Sequence, residues 1–159
     1  MASQTVNIQA TGVGIRQWIY QTCTQFGYYQ TCDSNTDCPF STLETLASNV
    51  DLCYDAFGID AASIPRRIAF SNDYYGGNQP AGTRILFVNG SIDPWHWLSV
   101  YQKPLSPTET TVFINGTAHC ANMMPASPND PPNLVAARVQ IAAQVSAWLA
   151  DAAVASMQM

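Results

Sequence analysis

The chain has 159 residues, of which 47% are hydrophobic and only 11% are charged. This balance excludes an intrinsically disordered chain, and the length is that of one ordinary domain with a buried core. The net charge of −5 leaves no basic surface to neutralise phosphates, so no nucleic-acid partner is expected.

The N-terminal third is predicted to be helical with a long loop. Residues 1–14 are polar and lack a hydrophobic period, so they are interpreted as a linker or a cut edge. Apolar side chains at helical spacing begin at Ile15 and predict a short helix, whereas residues 27–39 are predicted to form a loop. Residues 41–44 have the Ser-Thr-Leu-Glu sequence of a capping box, which predicts a second helix that ends at Gly58. Its buried face is expected to comprise Leu43, Leu46, Val50, Cys53 and Phe57.

The C-terminal half is predicted to be an α/β unit. Residues 60–82 show no period and are expected to be irregular. Apolar runs at residues 84–88 and 111–114, each followed by Asn-Gly, predict two buried strands of a parallel sheet. A crossover with a short helix around residues 95–101 joins them, and a last helix begins near Asn133. The apolar face of this last helix is expected to comprise Leu134, Ala137, Ile141, Val145, Trp148 and Leu149.

Two chemistry-bearing side chains follow the two predicted strands. Asp93 comes after the first strand and His119 after the second, and loops at the carboxyl ends of parallel strands lie at one edge of a sheet. A serine hydrolase needs this pair, since the aspartate fixes the histidine tautomer and the histidine acts as general base and then general acid. In α/β-hydrolases the aspartate precedes the histidine and the serine lies upstream of both. The 159 residues contain no Gly-x-Ser-x-Gly elbow, so the chain is expected to lack the nucleophile.

Each of these residues also has an ordinary interpretation. Asp93 precedes a proline and could simply open a turn, and His119 taken alone could be a core histidine. The joint pattern, two strand-end loops in hydrolase order, favours the catalytic interpretation. His96 is expected to lie on the surface of the crossover rather than to act as a second base. Asn89 and Asn115 begin glycosylation sequons, but their positions after strands favour a role in turns.

The numbers of cysteines and histidines indicate the cellular compartment and whether a metal site is expected. Five cysteines are many for a cytosolic chain of this length, and no Cys-x-x-Cys pair suggests a zinc site. With only two histidines, no metal or other cofactor is expected. Disulfide bonds in a secreted, lysosomal or vacuolar protein are the better interpretation. No segment has the roughly 18 to 20 unbroken apolar residues that span a bilayer, so no membrane partner is expected.

Four segments carry a more specific pattern. They are Arg16–Thr31, with Tyr-Gln-Thr-Cys-Thr at its centre, Asn72–Gly77, Asn89–Trp95 and Gly116–Cys120. In this order they resemble signatures of the proline-specific serine peptidases, the family of lysosomal Pro-Xaa carboxypeptidase, dipeptidyl-peptidase II and thymus-specific serine protease. The last two segments resemble the motifs of the catalytic aspartate and histidine.

The resemblance implies the C-terminal portion of an α/β-hydrolase fold together with the end of a helical inserted domain. Residues 15–60 would return from that inserted domain, and residues 61–159 would complete the hydrolase domain. It also implies a serine exopeptidase that cleaves after proline near a peptide terminus. This chain would supply Asp93 and His119, and a missing N-terminal part of the same protein would supply the serine. The family more often has Glu at the position of Gln25, which leaves the direction of exopeptidase cleavage open.

The resemblance also implies a proline pocket. Trp95, beside the aspartate, resembles the pocket wall, because a flat aromatic face can bury a pyrrolidine ring without a hydrogen bond. Tyr28 and Met123 are further candidates for this pocket. The expected partner is a peptide substrate with proline near one terminus.

The cysteines suggest a pairing. Cys53 lies on the apolar face of the second helix and Cys23 follows the first, so a bridge would join the two helices, and the resemblance implies the same pair. Cys32 either pairs with Cys38 or seeks a partner in the absent inserted domain. Cys120 is left over as a free thiol.

Two other functions are left open. A truncated, non-catalytic product could serve as a structural or interaction module. Another α/β-hydrolase, such as a serine carboxypeptidase or an esterase, would leave the Tyr-Gln-Thr-Cys-Thr motif unexplained. The oligomeric state is also open, a homodimer included.

Overall fold

The computed structural model describes residues 14–102 and 106–157 of the chain. The contacts between residues divide the chain into two compact units, Met1–Gly77 and Asn78–Met159. Apart from Gly14, the linker or cut edge expected at residues 1–14 lies outside the described residues. None of the described helices is long and apolar enough to cross a membrane.

The first unit is helical. Helix α1 spans Ile15–Gln21 and continues into a π-helical turn at Thr22–Phe26. Helix α2 spans Leu46–Phe57, and a 3₁₀ turn at Ala61–Ser63 leads into helix α3 at Ile64–Tyr75. The core of the unit consists of buried Cys23, Cys53, Ile59 and Ile64, against which Ile19, Tyr29, Val50, Phe57 and Ile68 pack.

Two disulfide bonds cross-link the first unit. Cys23 at the π-helical turn is bonded to Cys53 of α2, with Cα atoms 5.6 Å apart and both side chains buried. Cys32 is bonded to Cys38 across a short loop, with Cα atoms 5.5 Å apart. Cys120 is a free, exposed thiol. The first bond joins the two helices at the centre of the core, and the second closes only a local loop.

The predicted start of α2 is wrong. Its N-cap is Thr45, whose hydroxyl accepts a hydrogen bond from the Ser48 N–H at 3.1 Å, while Ser48 Oγ accepts one from the Thr45 N–H at 3.0 Å. Ser41 Oγ instead accepts a local hydrogen bond from the Leu43 N–H, so Ser41 does not cap the helix. Leu43 is consequently 82% exposed rather than part of the buried face. The predicted end of the helix is confirmed, because Gly58 has the left-handed φ of 66° that a C-cap requires.

Residues 60–82 are not irregular as predicted, because α3 occupies Ile64–Tyr75. Its proline, Pro65, lies in the first turn, where the missing N–H removes no intrahelical bond. Ile64 and Ile68 face the core, whereas most of the other side chains are exposed. The exposed side chains include Phe70, Tyr74 and Tyr75, so apolar residues lie on both sides of the helix and mark no single periodic face. The first compact unit continues through α3, and the assignment of residues 61–159 to a hydrolase domain stays a prediction.

The second unit contains both predicted strands. Strand β1 spans Ile85–Gly90 and strand β2 spans Glu109–Ile114. They pair in parallel, with Val88 opposite Val112 and Gly90 opposite Ile114. This confirms the predicted parallel pair, and it brings the carboxyl ends of both strands to one edge.

The strands are connected and covered by helical segments. A 3₁₀ helix at Pro94–Leu98 lies in the crossover, a second 3₁₀ turn spans Ala121–Met123, and the long helix α4 spans Pro132–Met157. Val112 and Ile114 of β2 are buried together with Leu134 and Ala137 of α4. The predicted apolar face of α4 is correct only for its N-terminal turns, since Val145 and Leu149 are exposed.

Candidate active site

Asp93 is held rigidly where β1 ends. It is the N-cap of the 3₁₀ helix at Pro94–Leu98, and its Oδ1 accepts a hydrogen bond from the Trp95 N–H at 3.0 Å. Proline at the next position costs nothing, because the first N–H groups of a helix have no internal acceptor. The side chain of Asp93 is only 8% exposed. Its second carboxylate oxygen, Oδ2, is left for a partner outside the turn.

That partner is His119, which follows β2. Its Nδ1 lies 2.6 Å from Asp93 Oδ2. An ionised carboxylate can only accept hydrogen bonds, so Nδ1 carries the proton and Nε2 of the neutral ring keeps its lone pair. The His119 side chain is 57% exposed, and within the described part of the chain it has no second hydrogen-bond partner. A buried carboxylate therefore orients an imidazole whose other nitrogen is free to exchange a proton.

Backbone and side-chain contacts join the two strand-end turns. The Ser91 N–H donates to the Ile114 carbonyl at 3.1 Å, and the Ile92 N–H donates to the Thr117 carbonyl at 3.0 Å. Ser91 Oγ accepts from the Gly116 N–H at 2.8 Å. These bonds carry the parallel pairing beyond the end of the strands, so the separation of Asp93 and His119 is fixed by the sheet.

Gly90 permits this close approach. A Cβ atom at Gly90 would overlap the Thr117 carbonyl oxygen and come within 2.9 Å of the Ala118 carbonyl oxygen. No larger residue fits there unless the histidine loop moves, since real Cβ atoms do not approach backbone oxygens so closely. Gly90, the glycine of the Asn-Gly-Ser segment, is thus required for the close contact between the turn after β1 and the turn after β2.

The predicted pocket residues lie in different surroundings. The ring of Trp95 is 4.8 Å from the ring of His119, edge to face at 82°. Met123 lies in the 3₁₀ turn that follows His119 and is exposed. Tyr28 belongs to the first unit, where its ring is 5.0 Å from that of Phe26, and its part in a pocket stays a prediction.

The expectation that His96 lies on the surface is wrong. It is 7% exposed, and its Nδ1 lies 2.6 Å from the backbone carbonyl oxygen of Asp93. The spacing Asp-x-x-His is the signal that could have indicated this, because residues three apart are eclipsed in a 3₁₀ helix. The ring therefore lies over the turn that holds Asp93.

Arg138 of α4 is a second residue that sequence reasoning missed. Its Nη2 donates to the Ala121 carbonyl at 3.1 Å, and its Nη1 lies 3.5 Å from Asp130 Oδ2. These contacts tie the segment after His119 to the long helix. No periodicity or motif marks this arginine in the sequence.

Two other kinds of reactive group bear on this site, metal ligands and serines. Residues 14–102 and 106–157 contain no group of three or more His, Cys, Asp or Glu side chains arranged to hold a metal ion. The serine nearest in sequence to Asp93 is Ser91, whose Oγ is engaged with Asn115 Oδ1 and the Gly116 N–H.

Comparison with known proteins gives a consistent result. The family model described as serine carboxypeptidase S28 matches residues 1–141. Human thymus-specific serine protease is 49% identical over 141 residues, which cover 89% of this chain and 27% of that protein. The mouse protein of the same name is 47% identical over 143 residues, covering 90% of this chain and 28% of that protein. Bovine lysosomal Pro-X carboxypeptidase is 26% identical over 153 residues, covering 94% of this chain and 30% of that protein. The chain thus spans between a quarter and a third of the length of these relatives.

Proposed function

The chain belongs to the serine carboxypeptidase S28 family, and we propose that it supplies the aspartate and histidine of the catalytic triad of a proline-specific serine exopeptidase. The observation that carries the proposal is the 2.6 Å contact between Asp93 Oδ2 and His119 Nδ1 at the carboxyl ends of two parallel strands. The same placement supports an α/β-hydrolase fold, in which the acid and the histidine occupy loops after the strands.

The roles follow from the geometry. His119 Nε2 takes the proton from a serine hydroxyl as the serine attacks the substrate carbonyl, and then returns it to the leaving amine. Asp93 holds the ring in the Nδ1–H tautomer and stabilises the imidazolium that forms between the two steps. The buried carboxylate is suited to this, since poor solvation strengthens its interaction with the positive ring.

The nucleophile comes from a part of the protein outside these 159 residues. The sequence has no Gly-x-Ser-x-Gly elbow, and Ser91 is engaged in the turn that joins the strand ends. By itself the chain therefore contains only part of the proposed active site and is inactive.

Specificity for proline is assigned to an aromatic surface beside the histidine. Trp95 presents its ring next to His119, so a substrate proline whose pyrrolidine ring lies on the flat indole face would have its carbonyl group near the catalytic base. Met123, which is exposed in the 3₁₀ turn after His119, is the second residue that we assign to this surface. One distant relative, bovine lysosomal Pro-X carboxypeptidase, carries this specificity in its name.

The compartment is proposed from the covalent structure. Two disulfide bonds form and persist in an oxidising environment, which supports a secreted or lysosomal protein.

A chimaera tests the proposal. This chain replaces the matching segment of human thymus-specific serine protease, which contributes the remainder of the protein. We expect the chimaera to hydrolyse peptides at proline and not their alanine counterparts. His119→Ala and Asp93→Asn should each lower kcat by about 10⁴-fold or more.

The matched control is Asp151→Asn, an exposed carboxylate of α4 outside the four signature segments, which should leave kcat unchanged. Retained activity in the Asp93 and His119 variants would refute their catalytic roles. Equal hydrolysis of proline and alanine peptides would refute the specificity but leave the catalytic pair in place.

A further inference from the structure

The carbonyl oxygen of Asp93 accepts two hydrogen bonds from one residue. The His96 N–H lies 3.1 Å from it, as expected one turn along a 3₁₀ helix, and His96 Nδ1 lies 2.6 Å from it. A carbonyl has two acceptor sites, so both are filled. Because the oxygen cannot donate, the Nδ1 of His96 must carry a proton, which fixes the tautomer of the neutral ring.

The ring of His96 is itself held in place by aromatic contacts. It lies 4.6 Å from the ring of Trp97, 5.1 Å from that of Tyr101 and 5.3 Å from that of Phe113. Phe113 belongs to β2, the strand that leads to His119. His96 therefore packs against the strand that carries the histidine while it bonds the backbone of the residue that carries the carboxylate.

We propose that His96 is a positioning residue that fixes the direction of the Asp93 carboxylate toward His119, an inference that rests on the proposed function. The two bonds to the Asp93 carbonyl lock the peptide plane that follows Asp93, and this plane sets the direction of its Cα–Cβ bond. The Trp95 N–H then holds Oδ1, so Oδ2 has one orientation, the one that meets His119 Nδ1. His96 exchanges no proton with the substrate in this role.

The first test is a spectroscopic signature in the 159-residue chain. The Nδ1 proton of His119, bonded to Asp93, should give a low-field NMR resonance that disappears in Asp93→Asn. His96→Phe keeps an aromatic ring but removes the donor, and it should speed exchange of that proton with water by about tenfold. His96→Asn restores an N–H close to the Nδ1 position and should recover most of the protection.

A variant with a matched loss of stability distinguishes the positioning role of His96 from a purely structural role. Ile141→Ala removes apolar contacts between α4 and the core over the sheet but no hydrogen bond of Asp93, His96 or His119, and it should lower stability without changing the His119 resonance. An unchanged His119 resonance in His96→Phe would overturn the proposal. The proposal would also be overturned if Ile141→Ala changed the His119 resonance as much as His96→Phe does, at the same loss of stability.

The second test is kinetic and uses the chimaera described above. His96→Phe should lower kcat by about tenfold and leave KM unchanged, and His96→Asn should restore kcat. If the Asp93 and His119 variants keep full activity, the proposed function fails. If those variants are inactive while His96→Phe is fully active, the proposed function stands and only the positioning role is refuted.

Discussion

Ser91 Oγ accepts a hydrogen bond from the Gly116 N–H, 2.8 Å away, and so joins the turn after β1 to the turn after β2. Ser91→Ala removes this acceptor as well as the donor to Asn115 Oδ1. We expect the free energy of unfolding to fall by about 1 kcal/mol, the net value of an ordinary hydrogen bond. Urea denaturation followed by fluorescence measures it. Ser99→Ala is the control, since no hydrogen bond of the Ser99 hydroxyl is seen within the described part of the chain.

The isolated chain should not react with fluorophosphonate probes and should not hydrolyse proline peptides. Without a serine on a nucleophile elbow, Asp93 and His119 have no hydroxyl to activate. Intact-mass spectrometry after exposure to the probe measures the labelling, and the chimaera serves as the positive control. Stoichiometric labelling of any serine in the isolated chain would contradict the assignment of the nucleophile to another part of the protein.

The two disulfide bonds should contribute unequally to stability. In the chain-entropy estimate, the Cys23–Cys53 bond closes the longer loop and should contribute about 3–4 kcal/mol, against about 2 kcal/mol for Cys32–Cys38. Paired substitutions to alanine, compared by urea denaturation, test the ranking. Cys120→Ser is the control, because its exposed thiol has no disulfide partner. A larger loss on removal of the Cys32–Cys38 bond would show that chain entropy does not dominate.

Alkaline pH should destabilise the first unit through Tyr29. Burial raises the pKa of the Tyr29 hydroxyl, which lies 3.3 Å from both the Thr22 carbonyl oxygen and Cys53 Sγ. A raised pKa in the folded state means that the stabilisation is complete below the ordinary tyrosine pKa of about 10 and is lost as the pH rises through the folded value. The urea midpoint should therefore fall above about pH 10, and fall less in Tyr29→Phe. Tyr54→Phe, an exposed tyrosine, should behave like the unaltered chain.

The sequence was most informative where local pattern and long-range structure agree. The apolar runs that form β1 and β2 predicted a parallel pair, and this pairing alone places Asp93 and His119 at one edge. Helix α3 escaped prediction because aromatic residues also lie on its exposed side, which obscures the period, and because a proline stands in its first turn. The start of α2 escaped because two consecutive four-residue sequences could each cap it, and only the folded backbone decides between Ser41 and Thr45.

His96 shows what pattern reasoning omits. Its role depends on a tertiary contact with the aromatic ring of Phe113 in β2, in addition to the local spacing from Asp93. A histidine between two tryptophans in a crossover gives no sign of burial from composition alone.

The parallel register, with Ile85 opposite Glu109, has a consequence for the order of folding. The acid and the base both belong to one strand–crossover–strand unit, so a single modest loop closure brings them together. The contact spans 26 residues and so costs less loop-closure entropy than a pairing between distant parts of a chain, although parallel strand pairs form more slowly than helices. During synthesis the proposed upstream nucleophile would leave the ribosome first, so the Asp93–His119 pair would be the last part of the proposed site to form.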